Sequence, residues 1–404
     1  MQQADLDSES DIPKIPDYTL SEKQFLLTNG NSSSNEKSKL IDEILTQIKS
    51  ENLAPYYKYL HKEIDFPFDQ NLYNQLNSNN QKEIDRLNKK IKEAQDEEET
   101  ELDLTSTTLE LAEYYTEIID GKNAIEIFKK VLDLSTSTGH KIDHLLTLTR
   151  IYFFYNDLYQ VKIHLDLISN LIEKGGDWER RNRFKAYQGI YFMSTRNFKE
   201  ASNLLIDSLA TFTSTELCSY QQIAQYAIIS GILSLDRIDL KNKIIDSPEI
   251  LSIYSSTPQL EPLLKLTNSF YKCQYNYFFQ YLLESYDKCL INNKYLYKHG
   301  NYFLKEMRCK AYGQLLESYK SLSIKSMANN FNISEEFLDL DLTKFIPTKK
   351  LNCTIDKVNG IIETNRPDNK NNQYHLLIKQ GDGLLTKLQK YGAAVKLSGA
   401  EKVV

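Results

Sequence analysis

Apolar side chains recur every three or four residues along most of the chain, and few Gly or Pro residues interrupt them. Between residues 40 and 48 this spacing predicts a helix with one apolar face. From 69 to about 104 a narrower apolar stripe lies among Lys, Gln, Asn and Glu, which predicts a long, largely solvated helix. Residues 1–17 are acidic and almost without apolar side chains, so we predict a disordered acidic arm there. We assign the N-terminal helices to residues 18–104.

A pattern of small, aromatic, small and bulky residues is repeated three times within residues 105–300. The separations inside each unit are 3, 9 and 4 residues, and successive units are offset by 37 and 40 residues. This period predicts tetratricopeptide-like helical hairpins. One such hairpin cannot bury its apolar face alone, so we predict that the hairpins stack into a solenoid. The repeated positions are Ala112, Tyr115, Ala124 and Phe128, then Thr149, Tyr152, Val161 and Leu165, then Gly189, Phe192, Ala201 and Leu205.

Residues 301–372 form a second predicted module that contains both helices and strands. After a first helix, Ser323 and Ser334 are each placed to cap the start of a short helix. The segments 351–356 and 360–365 have the composition of short strands joined by a tight turn. Helix, turn, helix and hairpin in this order predict a winged helix. The predicted fold class is therefore all-α with a small α+β part near the C-terminus.

The last predicted segment, residues 373–404, carries a heptad seam of apolar side chains. Gly381 and Gly383 each cost about 1 kcal/mol relative to Ala in an isolated helix, so this helix requires packing against others. We predict that the seam is a partner interface that enters a multi-subunit helical bundle. The seam residues are Tyr374, Leu377, Gly381, Leu384, Leu388, Tyr391 and Val395.

Two glycines and three arginines surround the only tryptophan of the chain. Gly175 suits a helix C-terminus and Asp177 suits the N-cap of the next helix, which is a purely structural interpretation. Alternatively, Trp178, Arg180 and Arg181 anchor a partner, because Trp and Arg dominate the energetics of protein interfaces. We retain these three residues as candidate interface residues.

The second helix of the predicted winged helix argues against nucleic-acid binding. Such a helix can enter a major groove, but residues 334–345 contain four carboxylates and the single Lys344. Carboxylates beside phosphates weaken binding. The formal net charge of the whole chain is −6, and no apolar run approaches the length of a membrane span. We therefore predict no nucleic-acid and no membrane partner, with a winged-helix nucleic-acid binder kept as a weaker alternative.

The sequence offers no recognisable catalytic, metal or cofactor site. His140 and His144 could share one helix face, but no third ligand stands in a zinc-enzyme frame. There is no Gly-rich phosphate loop and no nucleophile elbow. The five cysteines are scattered without metal-binding spacing, which indicates thiols in a reducing compartment. We predict a protein that is not an enzyme and uses no cofactor.

Several segments spread over nearly the whole chain carry a family resemblance. They include PYYKYL (55–60), FFYND (153–157), GGDWERRNR (175–183), LATFTS (209–214), KFIP (344–347), ETNRPDNKN (363–371) and QYHLLIKQGDGLLTKLQKYGAAV (373–395). These segments resemble the PCI-domain family of the 26S proteasome regulatory lid, and within it the non-ATPase subunit seven type.

The resemblance implies a fold and a function. The implied fold is a helical-repeat solenoid fused to a winged-helix PCI domain, followed by a helix that joins the helical bundle of the lid. The implied function is that of a structural subunit in ubiquitin-dependent protein degradation, in the cytoplasm and nucleus. The implied partners in this hetero-oligomer are non-ATPase subunits six and three, which are other PCI subunits of the lid, and the ATPase ring. A scaffold subunit of the COP9 signalosome, of the subunit one type, is the alternative within the same fold.

Overall fold

The structure is a computed structural model in which helices predominate. It divides into two compact units, Met1–Met307 and Arg308–Val404, and the boundary falls within one helix. Most of the predicted acidic arm, residues 1–12, lies outside the described residues. The described residues are 13–29, 34–64, 66–96, 101–175, 177–254, 257–365 and 369–400.

The N-terminal unit begins with four helices whose apolar faces meet in one core cluster. Ile44 and Ile48, at the predicted apolar face, are fully buried there. Residues 13–17 precede the first helix as an ordered, irregular segment, and the guanidinium of Arg150 donates to the carbonyl of Pro13 at 2.9 Å. The end of the predicted disordered arm is therefore part of the folded body. The helices are α1 Tyr18–Asn29, α2 Ser34–Ser50, α3 Ala54–Ile64 and α4 Gln70–Asp96.

Three helical hairpins follow, and they confirm the predicted repeats. Each hairpin turn places one residue in the left-handed region, namely Ile119, Asn156 and Arg196. In the second turn Asn156 N–H donates to Phe153 O and Asp157 N–H donates to Tyr152 O, so the last carbonyls of the helix are satisfied. The hairpins pair α5 Glu101–Glu117 with α6 Gly121–Leu134, α7 Thr138–Phe154 with α8 Leu158–Gly175, and α9 Trp178–Ser194 with α10 Phe198–Leu209.

The solenoid continues through shorter and less regular helices. Cys273 adopts φ 58° between two of them, with the same pair of turn hydrogen bonds as the earlier hairpins. This fourth hairpin was not resolved by the repeat pattern. Two π-helical turns, Lys241–Ile245 and Tyr286–Leu290, interrupt the region. The helices are α11 Tyr220–Ser234, α12 Arg237–Leu240, α13 Pro248–Tyr254, α14 Glu261–Tyr271 and α15 Phe278–Ser285. They are followed by α16 Gly300–Leu316, which belongs to the C-terminal unit from Arg308 onward.

The C-terminal unit contains the predicted winged helix and one further strand. The Ser323 hydroxyl accepts from Ser326 N–H, and the Ser334 hydroxyl accepts from Phe337 N–H, as the capping prediction required. The unpredicted strand β1 (Ser321–Ser323) pairs antiparallel with β3 (Ile361–Thr364). Because β3 also pairs with β2 (Cys353–Asp356), the sheet has three strands in the order β1-β3-β2. The elements are β1 Ser321–Ser323, α17 Ile324–Phe331, α18 Glu335–Phe345, β2 Cys353–Asp356, β3 Ile361–Thr364 and α19 Asn369–Ala400.

The core of the winged helix lies between its helices and its sheet. Tyr312, Phe331 and Phe345 are fully buried and in ring contact. Arg308 donates to the buried carboxylate of Asp341 at 2.7 Å. Burial raises the pKa of Asp341, while the charge of Arg308 opposes that shift.

Candidate protein-interaction surface

The C-terminal helix α19 exposes its apolar side chains to solvent. From Lys370 to Lys396 every side chain that the structure describes is exposed. Leu377 and Tyr391 of the predicted seam are each 70% exposed. A contiguous apolar surface of this kind marks an interaction site in soluble proteins. The exposed seam residues are Tyr374, Leu377, Leu384, Leu388, Tyr391 and Val395.

The apolar face of α19 is wider than the heptad seam. Ile378 and Leu385, both exposed, extend it on one side. With residues placed every 100° around the helix, the apolar arc covers roughly 140°. The heptad search missed these two residues because it followed a single row of positions. An arc this broad fits a bundle, in which one helix contacts more than one neighbour, better than a two-stranded coiled coil.

Two glycines lie at the middle of the apolar arc. On the helical wheel, Gly381 and Gly392 fall between the rows of large side chains, whereas Gly383 lies on the opposite face. A Cβ atom built on any of the three would meet no described atom within 4 Å. Close packing within this chain therefore does not explain these glycines. At the arc, a missing side chain lets the backbone of a neighbouring helix approach closely.

Arg180, another predicted interface residue, makes its side-chain contacts within this chain. Its Nε and Nη2 donate to the two carboxylate oxygens of Asp143 on α7 at 3.0 and 2.7 Å, and its Nη1 donates to Asp177. The guanidinium also covers Gly139, where a Cβ atom would lie 3.0 Å from its Cζ. Asp177 precedes α9 as predicted, but its side chain binds Arg180 and does not cap a backbone N–H. These contacts favour the structural interpretation for Arg180.

The two neighbours of Arg180 behave differently. Trp178 is 65% exposed at the start of α9, and Arg181 is exposed on the same first turn. Exposed Trp is costly in water and is enriched at binding hot spots. Trp178 and Arg181 therefore stay predictions as partner contacts.

The second helix of the winged helix presents a mixed acidic and apolar surface. Glu335 and Glu336 are exposed, and Leu340 is 59% exposed. The other two carboxylates counted from the sequence point elsewhere, because Asp341 is buried and Asp339 accepts from Lys357 at 2.9 Å. Only two of the four carboxylates are therefore exposed without a lysine partner. The exposed surface of this helix, acidic and apolar, suits a protein better than a phosphate backbone.

The predicted histidine pair lies on α7. The rings of His140 and His144 are stacked 6.4 Å apart. His144 is buried beside Phe128, and desolvation lowers its pKa. Within the described part of the chain, no three His, Cys, Asp or Glu side chains cluster as metal ligands would. Among the helices of the described residues, none combines the length and the hydropathy that a membrane-spanning segment requires.

Three sequence families match this chain, one after another along its length. The family described as 26S proteasome subunit RPN7 matches residues 69–243. The PCI domain family matches residues 283–366, which include the winged helix. The family described as the RPN7/PSMD6 C-terminal helix of the 26S proteasome regulatory subunit matches residues 373–395, the seam-bearing part of α19.

Curated relatives match over nearly their full lengths. The chain is 52% identical to the 26S proteasome regulatory subunit RPN7 of Saccharomyces cerevisiae, over 97% of this chain and 96% of the relative. It is 44% identical to rpn7 of Schizosaccharomyces pombe, over 96% and 98%. It is 38% identical to the 26S proteasome non-ATPase regulatory subunit 6 homolog of Arabidopsis thaliana, over 97% and 100%. The chain belongs to the RPN7/PSMD6 family of 26S proteasome regulatory subunits.

Proposed function

We propose that this chain is a non-catalytic structural subunit of the 26S proteasome regulatory lid and supports ubiquitin-dependent protein degradation. The observation that carries the proposal is the exposed apolar arc of α19 within the segment that matches the family's C-terminal helix. The arc docks into the helical bundle formed with other lid subunits. Localisation to cytoplasm and nucleus belongs to the same proposal.

The energetics of the arc favour a permanent partner. Burying one Leu, Ile or Val side chain contributes about 1.5–3 kcal/mol, so the arc can supply much of an interface's stability. The glycines of α19 lower its intrinsic helix propensity, which leaves the helix dependent on packing. A helix built in this way is suited to assembly and supplies no reactive group.

The other proposed contacts involve the winged helix and the solenoid. β1 and β2 are the outer strands of the three-stranded sheet, and an outer strand can pair with a strand of another chain. We assign such pairing to neighbouring PCI subunits, with non-ATPase subunits six and three as the expected neighbours, and assign contact with the ATPase ring to the N-terminal unit. The three named relatives above are all 26S proteasome subunits, which favours this assembly over the COP9 signalosome.

A truncation tests the proposal directly. The full chain and a chain ending at Asn372 are expressed with the same tag in native cells, and co-purifying subunits are measured by mass spectrometry. We expect the truncated chain to remain folded, since its two cores are intact, but to be lost from 26S particles. A chain ending at Ala400, which keeps α19, is the matched control and should incorporate normally. Normal incorporation of the Asn372 truncation would overturn the role assigned to α19.

A further inference from the structure

The second hairpin of the solenoid carries large apolar side chains on the solvent-exposed face of α8. Tyr159, Ile163 and Leu167 are 72%, 38% and 47% exposed. They are spaced four residues apart, so they form one ridge along the helix, here called the apolar row of α8. Single exposed apolar side chains are ordinary on protein surfaces, but three on one ridge form a patch.

The four hairpins share one register, which is defined by their left-handed turn residues. In every hairpin the side chains five, nine and twelve residues after the turn residue are buried, as Val161, Leu165 and Ile168 are on α8. Equivalent positions of the four hairpins can therefore be compared directly. The turn residues are Ile119, Asn156, Arg196 and Cys273.

At the positions of the apolar row, the other three hairpins carry polar or charged side chains. These positions lie three, seven and eleven residues after the turn residue. The equivalent side chains are exposed, apart from the half-buried Glu284. The hairpin fold therefore does not require apolar residues there, which points to an interaction at α8. The equivalents are Lys122, Glu126 and Lys130 on α6, Lys199, Asn203 and Asp207 on α10, and Asn276, Gln280 and Glu284 in the fourth hairpin.

The apolar row lies between a charged ridge and the core. Lys162, Asp166 and Lys174 belong to the neighbouring ridge of α8 and are exposed. His164 and Ile168, on the other side of the row, are buried. The exposed charges have both signs, so they select neither an acidic nor a basic occupant. Recognition at the row therefore depends on apolar contact and shape.

We propose that the apolar row of α8 is a docking site for an amphipathic helix of another subunit of the same assembly. This docking rests on the assembly role proposed above, but it uses a surface separate from α19. A ridge of side chains spaced four residues apart packs into the groove between two ridges of a second helix. The occupant therefore presents one apolar stripe with polar residues around it. The row extends over about 12 Å, so roughly two turns of the occupant cover it.

A second copy of this chain does not suit the row. Stable dimers bury roughly 800 Å² per partner, and three partly exposed side chains offer much less. A contact of this size persists only where the partner is also anchored elsewhere, because anchoring raises its effective concentration. Neighbouring subunits of one assembly are anchored in this way.

Photo-crosslinking in intact cells tests the docking site. The photoreactive residue p-benzoylphenylalanine replaces Tyr159 in the full chain, and mass spectrometry identifies the residues that it captures. The same probe in place of Lys122, the equivalent position on α6, is the matched control. We expect the probe at Tyr159 to capture the apolar stripe of a helix in another subunit, and the probe at Lys122 to capture no such helix.

A graft between hairpins shows whether the row itself holds the occupant. Ile163→Asn with Leu167→Asp gives α8 the residues that α10 already carries at these positions, so the hairpin should fold. We expect this graft to lower the crosslinking yield from Tyr159 by more than about tenfold, because a carboxylate in an apolar contact opposes docking. Glu126→Asn with Lys130→Asp makes the same graft on α6 and should leave the yield unchanged.

The failure of the docking site can be distinguished from the failure of the assembly role. Sedimentation of the same cell extracts shows whether the chain is in 26S particles, and its absence there would contradict the assembly role. Four results would overturn the docking site itself. They are equal yields from Tyr159 and Lys122, capture of a strand or loop, capture of this chain, and a yield that survives the α8 graft.

Discussion

Arg180 joins two helices of the N-terminal unit through its planar guanidinium. It binds both oxygens of Asp143 on α7 while its own backbone lies on α9, and it shields the backbone at Gly139. A bidentate arginine pair of this kind fixes geometry as well as contributing energy. The side chain is largely buried, so solvent screens the pair less than a surface pair.

Replacing Arg180 should therefore destabilise the N-terminal unit. We expect Arg180→Met, which keeps the aliphatic stem, to lower the free energy of unfolding by about 1–3 kcal/mol, because Asp143 loses its charged partner. Arg181→Met, at the exposed neighbouring position, is the matched control and should cost less than about 0.5 kcal/mol. Urea unfolding followed by far-ultraviolet circular dichroism at 222 nm, which reports the loss of helix, measures both. Equal effects of the two substitutions would contradict the structural role of Arg180.

Contacts such as those of Arg180 and Lys294 could not be predicted from local sequence. Lys294 Nζ donates to Ser21 Oγ at 2.6 Å, but the two residues are 273 residues apart and no spacing rule connects them. Gly189 was different, because the repeat pattern already required a small residue there. A Cβ atom at Gly189 would lie 2.7 Å from Cδ2 of Leu205, the bulky position of the same repeat. Pattern reasoning finds residues constrained within a repeat and misses those constrained by remote packing.

At the scale of elements, the repeat pattern predicted the three hairpins, the serine positions predicted the caps at Ser323 and Ser334, and the heptad spacing predicted the C-terminal helix. Each of these predictions followed from a local signal. Pattern reasoning missed β1, because three residues are too few to show the alternation of a strand. It also missed the fourth hairpin, whose turn at Cys273 carries none of the usual turn residues. In α19 the strict heptad rule recovered the seam but left out Ile378 and Leu385.

Substitutions at the glycines of α19 can distinguish an effect on the helix propensity of α19 from an effect on its contacts with neighbouring subunits. Replacing Gly381 and Gly392 with Ala should raise the helix propensity of α19 by about 1 kcal/mol per site. We nevertheless expect weaker incorporation into 26S particles, because the two methyl groups stand in the middle of the arc where a neighbour approaches. Gly383→Ala, on the opposite face, raises propensity without touching the arc and should incorporate normally. Improved incorporation of the double variant would show that no close helix contact occurs there.

At the scale of the whole molecule, the chain consists of two folded units and one helix whose apolar side chains are exposed. The solenoid and the winged helix each have a buried core, whereas every side chain that the structure describes between Lys370 and Lys396 of α19 is exposed. A glycine-containing helix that packs against nothing is only marginally stable in water. Helix α19 therefore needs partners to be stable. The central claim is that the apolar arc of α19 is what brings this chain into the proteasome lid.

The most direct measurement compares two charge-matched variants of the full chain in cells. Leu384→Asp with Leu388→Asp places two carboxylates within the arc, and Thr386→Asp with Ala393→Asp places two on the opposite face. Sedimentation with quantitative mass spectrometry then measures the fraction of each chain in 26S particles. We expect the arc variant to be absent from these particles and the control variant to be retained, since burying unpaired carboxylates costs several kcal/mol. Equal incorporation of the two variants would contradict the account.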